Sequence, residues 1–468
     1  MGTPAVDLDA VASAAATVIG FVSLAFIPLV LLRKKEASST IAWILVLVFL
    51  PVVGVVLFWF LGRDRVRRPV REKASTNVTV RQHLSDLAVP MTESLETMER
   101  DEDGEQRGLM RLAARVGRMD VAGGNRIALL TDATSTYDAH IAAIEQAHDH
   151  VHVMFYIFRP DDQGRRFRDA LVAAARRGVR VRLLVDGFGS RSLGSRFLAP
   201  LLEAGGHFAW FLPLDPVRRA WTINLRNHRK LMVVDGDVGF TGGINVGEEF
   251  LPWRDVHLRV EGPAVHQLQA IFVEDWYFAA RYNLVHPAFF PHVEPVGHSA
   301  MQMVESGPDG TVESIHRLYV AAITSARRRV SVTTPYFVPD RALLVALQTT
   351  ALRGVDVRLI LPRHSNHRVT FHAGRSYYDE LLDAGVKIHE YLPGMVHAKT
   401  MVIDGTFASV GSANLDSRSF RLSFELIAVL WDREVVGELE RIFEVDLRHT
   451  ERVQVEHWRQ RSVVQRVK

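Results

Sequence analysis

The chain has 468 residues, 48% of them hydrophobic and 23% charged, enough apolar material for more than one sizeable core. It contains no cysteine, which excludes disulfides, thiolate metal sites and a thiol nucleophile. The formal charge of +3 excludes a chain built as a whole to bind a polyanion, so positive charge acts locally. Only seven of the 56 basic residues are lysines, which gives weight to any lysine that recurs in a pattern.

Two apolar runs without a charged residue, Val11 to Leu32 and Ile41 to Leu61, open the sequence. At about 1.5 Å per residue each reaches roughly 30 Å, the thickness of a bilayer core. Trp43 and Trp59 stand near the ends of the second run, where aromatic belts lie. The residues before Val11 carry Asp7 and Asp9 and no base, unlike a cleaved leader. Residues 1–72 therefore read as an N-terminal pair of transmembrane helices, with a re-entrant hairpin as the alternative. Arg33, Lys34 and Lys35 fill the loop; Arg63, Arg65, Arg67, Arg68, Arg71 and Lys73 follow the second run. Six bases against three place the C-terminal bulk in the cytoplasm, and the larger cluster suits anionic lipid head groups. Residues 73–120 are polar, with patchy helical periodicity, and read as a connector.

The remainder repeats itself. Ala142-Ala143-Ile144, Ala147, Val151 and Val153 recur as Ala321-Ala322-Ile323, Ala326, Val330 and Val332, a helix feeding a strand. Arg177-Gly178-Val179 opens a second helix-to-strand passage that recurs at Arg353-Gly354-Val355. Leu201-Leu202-Glu203-Ala204-Gly205 before Phe211-Leu212-Pro213 recurs as Leu381-Leu382-Asp383-Ala384-Gly385 before Tyr391-Leu392-Pro393. The fold class is α/β: two α/β halves, 121–295 and 296–468, related by a pseudo-twofold, with one site between them.

Each half then carries the same polar set. His228 and Lys230 are followed by Asp235, Gly242, Gly243 and Asn245; His397 and Lys399 by Asp404, Gly411, Ser412 and Asn414. In a strand, residues two apart share a face, so each histidine and its lysine form one anion site. The imidazole can act as nucleophile or proton carrier, and the ammonium can hold a phosphoryl oxygen. Asp255 lies 27 residues after His228 and Glu425 lies 28 after His397, each suited to fixing a histidine tautomer. Asp235-Gly236 and Asp404-Gly405 make turns beyond a strand's worth of core residues, so these motif aspartates are read as structural. No His-Glu-x-x-His and no acidic calcium loop occurs, and a lysine beside each histidine repels a cation, so no metal is expected.

The pattern His-x-Lys-x4-Asp, then Gly-Gly/Ser-x-Asn, present twice over residues 120 to 450, resembles the HKD signature of the phospholipase D superfamily. Asn224 to Lys230, Thr334 to Asp340, Gly411 to Phe420 and the paired N-terminal apolar runs are similar to bacterial cardiolipin synthases. The resemblance implies two α/β/α halves sharing one active site and a two-step transfer through a phosphohistidine. It implies no cofactor, and transfer between two phosphatidylglycerols at the bacterial cell membrane to give cardiolipin and glycerol. By analogy His228 is the nucleophile and His397 the general acid and base. Lys230, Lys399, Asn245 and Asn414 hold the phosphoryl oxygens, and Asp255 and Glu425 orient the histidines. Trp221 and Asn224, in a loop that only the first half has, are candidate substrate contacts with Arg226, Tyr336, Arg375, Tyr378 and Ser412. The C-terminus, Val463 to Lys468, lacks the apolar ending of many members. A lipid hydrolase with the same catalytic set and a synthase drawing on phosphatidylethanolamine stay open. A nuclease is disfavoured by the membrane segment, so no nucleic acid partner is expected, and a lipid-binding scaffold by the intact double motif.

Overall fold

The computed structural model describes residues 25–31, 37–58, 72–75, 77–80, 82, 104–213, 225–310 and 312–461. Most of the first apolar run, the loop bases, the bases from Arg63 to Arg71, Trp221, Asn224 and the C-terminal Val463 to Lys468 lie outside them. The chain forms two compact units, Met1–Arg68 and Pro69–Lys468.

In the first unit the second apolar run is not one helix. Helix Ala37–Phe49 stops at Leu50, and Pro51–Leu57 resumes with Pro51 at its first position, where a missing N–H costs nothing. Gly54 packs so tightly on the Val46 carbonyl that a Cβ would lie 2.5 Å from it. Among the described residues, Val30, Leu47 and Phe58 form a small buried apolar cluster there. No described helix is long and apolar enough to cross a membrane, so the expected transmembrane pair is not confirmed; the second run is broken at Leu50, and most of the first lies outside the described residues.

The second unit is built on a 16-stranded sheet. Its first half supplies β1 (Ala122–Asp132), β2 (His150–Phe155), β3 (Arg180–Asp186), β4 (His207–Phe211), β5 (Arg226–Asn227), β6 (Leu231–Val234), β7 (Val238–Gly242) and β8 (Arg254–Glu261). Its second supplies β9 (Ser299–Ser306), β10 (Arg329–Thr333), β12 (Asp356–Pro362), β13 (Lys387–Tyr391), β14 (Thr400–Ile403), β15 (Phe407–Gly411), β17 (Ser423–Leu430) and β18 (Thr450–Arg452), while β11 (Phe337–Val338) and β16 (Leu415–Asp416) pair in a small sheet of their own. The order is β4-β3-β2-β6-β7-β8-β1 followed by β9-β17-β15-β14-β10-β12-β13-β18, so the second run of strands mirrors the first. In both, three parallel strands (β2, β3, β4; β10, β12, β13) meet an antiparallel run, and β1 joins β9 antiparallel at the centre.

Local sequence explains the repeat. Asp161 and Asp340 cap helices Asp162–Arg176 and Arg341–Leu352 by accepting from Gly164 N and Leu343 N. The same helices end before Gly178 and Gly354, whose φ of +92° and +89° an L side chain resists. Alternate residues of β2 and β3, among them Val151, Val153, Val181 and Leu183, bury against these helices in one core, and their counterparts Val330, Val332, Val357 and Leu359 in another. Helix Val265–Ala280 is buried over almost its whole length, because it packs against β2, β4, β6, β7 and β9. Helix Gly104–Gly117, read from sequence as part of a connector, instead sinks Leu109, Met110 and Ala113 into the second core.

The motif aspartates close this framework. Asp235 and Asp404 adopt φ of +52° and +53° in the turns after β6 and β14. The Asp235 carboxylate accepts from the backbone N–H groups of His148, Asp149 and His150, and Asp404 from Arg327, Arg328 and Arg329. Each thus ties the loop before β2 or β10 to the strand that leads from the motif, which agrees with a structural role. Charge-assisted bonds of this kind are the strong ones. Asp235→Ala and Asp404→Ala are each expected to cost about 3 kcal/mol, with the asparagine variants losing less. Thermal unfolding of the purified chain checks this, and an unchanged melting temperature would remove the assigned role.

Candidate active site

His228 and His397 do not lie within strands, as the spacing had suggested, but in the extended residues just before β6 and β14. Each of these lead segments is held by the opposite half. β5 pairs in parallel with the start of β17, and His228 N–H donates to the Phe424 carbonyl at 2.9 Å. Reciprocally, Val396 bridges to Arg254 at the start of β8, and His397 N–H donates to the Arg254 carbonyl at 2.6 Å. The residue after Phe424 is Glu425, and the residue after Arg254 is Asp255. The carboxylates are therefore crossed: His228 Nδ1 lies 3.0 Å from Glu425 Oε1, and His397 Nδ1 lies 2.7 Å from Asp255 Oδ2. Equal spacing within each copy did not reveal this exchange.

The two carboxylates are seated differently. A Cβ at Gly243 would fall 2.2 Å from Asp255, so glycine makes room for the shorter acid. At the matching position Ser412 donates to Glu425 Oε2 at 2.5 Å. Ser412, expected to touch substrate, also lines the cavity, but its hydroxyl is spent on Glu425.

Both histidines, both lysines, Asn245 and Asn414 line one cavity of about 430 Å³. Lys230 donates to the His228 carbonyl at 2.6 Å, and Lys399 donates to the His397 carbonyl. Lys399 Nζ also sits 3.2 Å from His397 Nε2. Tyr156 packs on His228 with ring centroids 4.1 Å apart, and Trp253 on His397 at 4.9 Å. Neither aromatic was singled out in the sequence; only their places beside β2 and β8 mark them. Arg226 and Tyr336 reach the cavity as expected, joined by Asp416 and Arg418 from the Gly411 to Phe420 segment. Arg375 and Tyr378 do not line it. Arg375 pairs with Glu390 at 3.0 Å and lies over Trp458, and Tyr378 is buried against the same Trp458.

Burial sets the charge of these groups. It lowers the pKa of His228 against the opposing pull of Glu425. It lowers His397 to about 4, with Lys399 adding to the effect and Asp255 opposing it. It also lowers Lys230 to about 8 and Lys399 to about 7. The site thus presents neutral imidazoles beside ammonium groups that lose their protons easily unless an anion binds. Among the described residues, Glu313, His316 and Asp340 approach one another as metal ligands could, but Arg421 ion-pairs with Glu313 and Asp340.

Behind His228 lies a buried charge network. Asp275, on helix Val265–Ala280, accepts from Arg229 at 2.9 Å and from Asn227 at 3.0 Å through one oxygen. Its other oxygen is 2.8 Å from Lys73 Nζ. Lys73, counted in the sequence among bases facing lipid head groups, has no exposed side chain. Asp186 holds the same segment by accepting from Asn227 N at 2.8 Å.

A family model described as cardiolipin synthase, PLD-like domain matches residues 140–276 and 319–447, and one described as phospholipase D-nuclease N-terminal matches 15–63. The chain is 40% identical over 453 residues to a cardiolipin synthase of Geobacillus kaustophilus, covering 94% of this chain and 89% of that one. It is 36% identical over 452 residues to the major cardiolipin synthase ClsA of Bacillus subtilis, covering 93% and 92%. Its fold is similar to the crystal structure of a Haemophilus influenzae phosphatidylserine synthase, with a TM-score of 0.60 at 14% identity, over 74% of this chain and 92% of that one.

Because Asp275 fixes both residues that flank His228, Asp275→Asn is expected to lower kcat by about 10²-fold. Lys73→Met, which leaves Arg229 and Asn227 in place, is expected to cost less activity but clear stability, as loss of one partner in a buried pair does. Steady-state kinetics with thermal unfolding on both variants checks the ranking; equal activities would refute it.

Proposed function

Because this chain belongs to the PLD-like cardiolipin synthase family, we propose that it transfers a phosphatidyl group between two phosphatidylglycerols, giving cardiolipin and glycerol. The observation that carries this reading is the pair of crossed histidine–carboxylate units facing one cation-lined cavity. A phosphodiester in that cavity would lie within one site lined by both histidines, and a lipid alcohol can replace the departing alcohol with little change in bond energy.

His228, with Nδ1 held by Glu425, attacks phosphorus through Nε2. The P–O bond to glycerol breaks, and His397 gives the leaving oxygen its proton. A phosphatidyl group is then bonded to His228. The head-group hydroxyl of a second phosphatidylglycerol loses its proton to His397 and attacks phosphorus, which frees His228. Lys230, Lys399, Asn245 and Asn414 hold the non-bridging oxygens. Asn245 Oδ1 accepts from Ile157 N–H, so its amide nitrogen is the group left to donate. The negative phosphodiester offsets the burial that holds His397 down and lets that residue carry a proton when substrate is bound. Arg226 and Tyr336 fit head-group contacts, and Trp221 and Asn224 remain candidates in the first-half loop.

The first unit fits a seat in the bacterial cell membrane. Ile41, Leu45, Val48, Phe49, Val52, Val53 and Val56 all expose apolar side chains, a surface that water disfavours. The break at Leu50 favours a re-entrant second segment over a full span. The bases on either side of that segment, Arg33 to Lys35 and Arg63 to Arg71, support a cytoplasmic catalytic unit.

Purified enzyme with phosphatidylglycerol as the only lipid, in EDTA, is expected to form cardiolipin and free glycerol together, and His228→Ala neither. Phosphatidic acid as main product would make it a hydrolase; no turnover until phosphatidylethanolamine is added would make the donor pair mixed. The pH dependence has a definite sign. Lys399 and Lys230 carry charge only below their lowered pKa values of about 7 and about 8. Thus kcat/KM, which reports the free enzyme, is expected to fall as pH rises through that window. A profile flat to about pH 10, where an ordinary lysine titrates, would show that these ammonium groups do not carry the anion.

A further inference from the structure

Asn366, His367 and Thr370 line the cavity, and the segment that bears them continues as helix Arg368–Arg375. Its outer side is turned to solvent: His364, Arg368, Val369 and His372 are exposed. Val369, at 84% exposure, is the most exposed large apolar side chain among the described residues. The inner side is firmly seated. A Cβ at Gly374 would lie 2.6 Å from the Phe337 carbonyl, so the helix rests directly on the backbone there. Arg375 ties the helix end to Glu390 and lies over Phe371 and Trp458. Tyr336 donates to Asn366 Oδ1 at 2.7 Å.

Charge on this lip has one sign. From Arg363 to Arg375 there are three arginines, three histidines and no acid. Arg363 and Arg375 are engaged by Glu390 and Glu451 at the base, while Arg368 stands beside Val369 at the tip. An apolar side chain flanked by bases, on the rim of a cavity that takes phosphodiesters, matches a surface with negative phosphates over an apolar interior.

We propose that the segment 364–372 is a lip that enters the surface of an anionic lipid bilayer, with Val369 reaching the acyl boundary and Arg368 among the phosphates. The lip sets the cavity mouth against the head groups, so a lipid need rise only a short way to reach His228 and His397. This rests on the phosphatidyl-transfer reading given above.

The chain has no cysteine, so V369C carries its single thiol. It is labelled with an environment-sensitive fluorophore and reconstituted in liposomes of phosphatidylglycerol and phosphatidylcholine that contain brominated acyl chains. Quenching by the brominated lipid is expected at V369C and not at L352C, which is also highly exposed but sits on helix Arg341–Leu352, away from the cavity. Equal quenching at both sites, or none at V369C, overturns the proposal. In a second arm, V369D and R368E are expected to turn over bilayer phosphatidylglycerol about tenfold more slowly while matching the parent on monomeric dihexanoyl phosphatidylglycerol. Loss on both substrates, or on neither, also overturns it. If the parent chain forms no cardiolipin from either lipid, the transfer reading fails, while the quenching result still decides where the lip sits.

Discussion

His228 N–H and His397 N–H each donate to a carbonyl of the opposite half, and the rest of the site depends on those two backbone bonds. Each fixes the register between a motif and the strand that bears its partner carboxylate. With that register set, the acid one residue further along meets the imidazole, and the tautomer follows. Neither half holds a complete histidine–carboxylate unit by itself. The continuous sheet, joined antiparallel at β1 and β9, keeps the two motifs at a fixed separation across one cavity. The Asp235 and Asp404 turns brace the strands that lead away from it.

Symmetry in the scaffold coexists with asymmetry in the site. Aspartate against Gly243 and glutamate against Ser412 solve the same problem with different side-chain lengths. The surroundings differ further: only His228 is backed by Arg229, Asp275 and Lys73, whereas His397 is pressed by Lys399. That difference gives the two imidazoles distinct environments, which two consecutive proton transfers and one nucleophilic attack require.

The repeat was legible in the sequence because burial imposes it. Val151 and Val330, Gly178 and Gly354, Asp235 and Asp404 occupy equivalent places in two equivalent sheets, and each is dictated by local packing or by φ. The residues that gather at the cavity, His228, Lys230, Asn245, His397, Lys399 and Asn414, were legible from doubled spacing. The crossed pairing was not, because the distance from each histidine to the carboxylate of its own copy is nearly constant whichever way the pairs form. Lys73 looked like any base after an apolar run; its burial depends on Asp275, some two hundred residues away. Arg375 and Tyr378 stand away from the cavity because Glu390 and Trp458 hold Arg375 and Trp458 packs on Tyr378. Tyr156 and Trp253 carry no motif, and only the folded sheet brings them onto the imidazoles.

The crossed pairing is tested most directly with phosphatidyl-p-nitrophenol, whose leaving group departs without a general acid. The first-turnover burst of p-nitrophenol then reports the nucleophilic histidine and its carboxylate alone. The account predicts that His228→Ala and Glu425→Gln both lose the burst, while His397→Ala and Asp255→Asn keep it. If Asp255→Asn loses the burst together with His228→Ala, and Glu425→Gln keeps it, the carboxylates serve the histidines of their own halves and the crossed site is wrong.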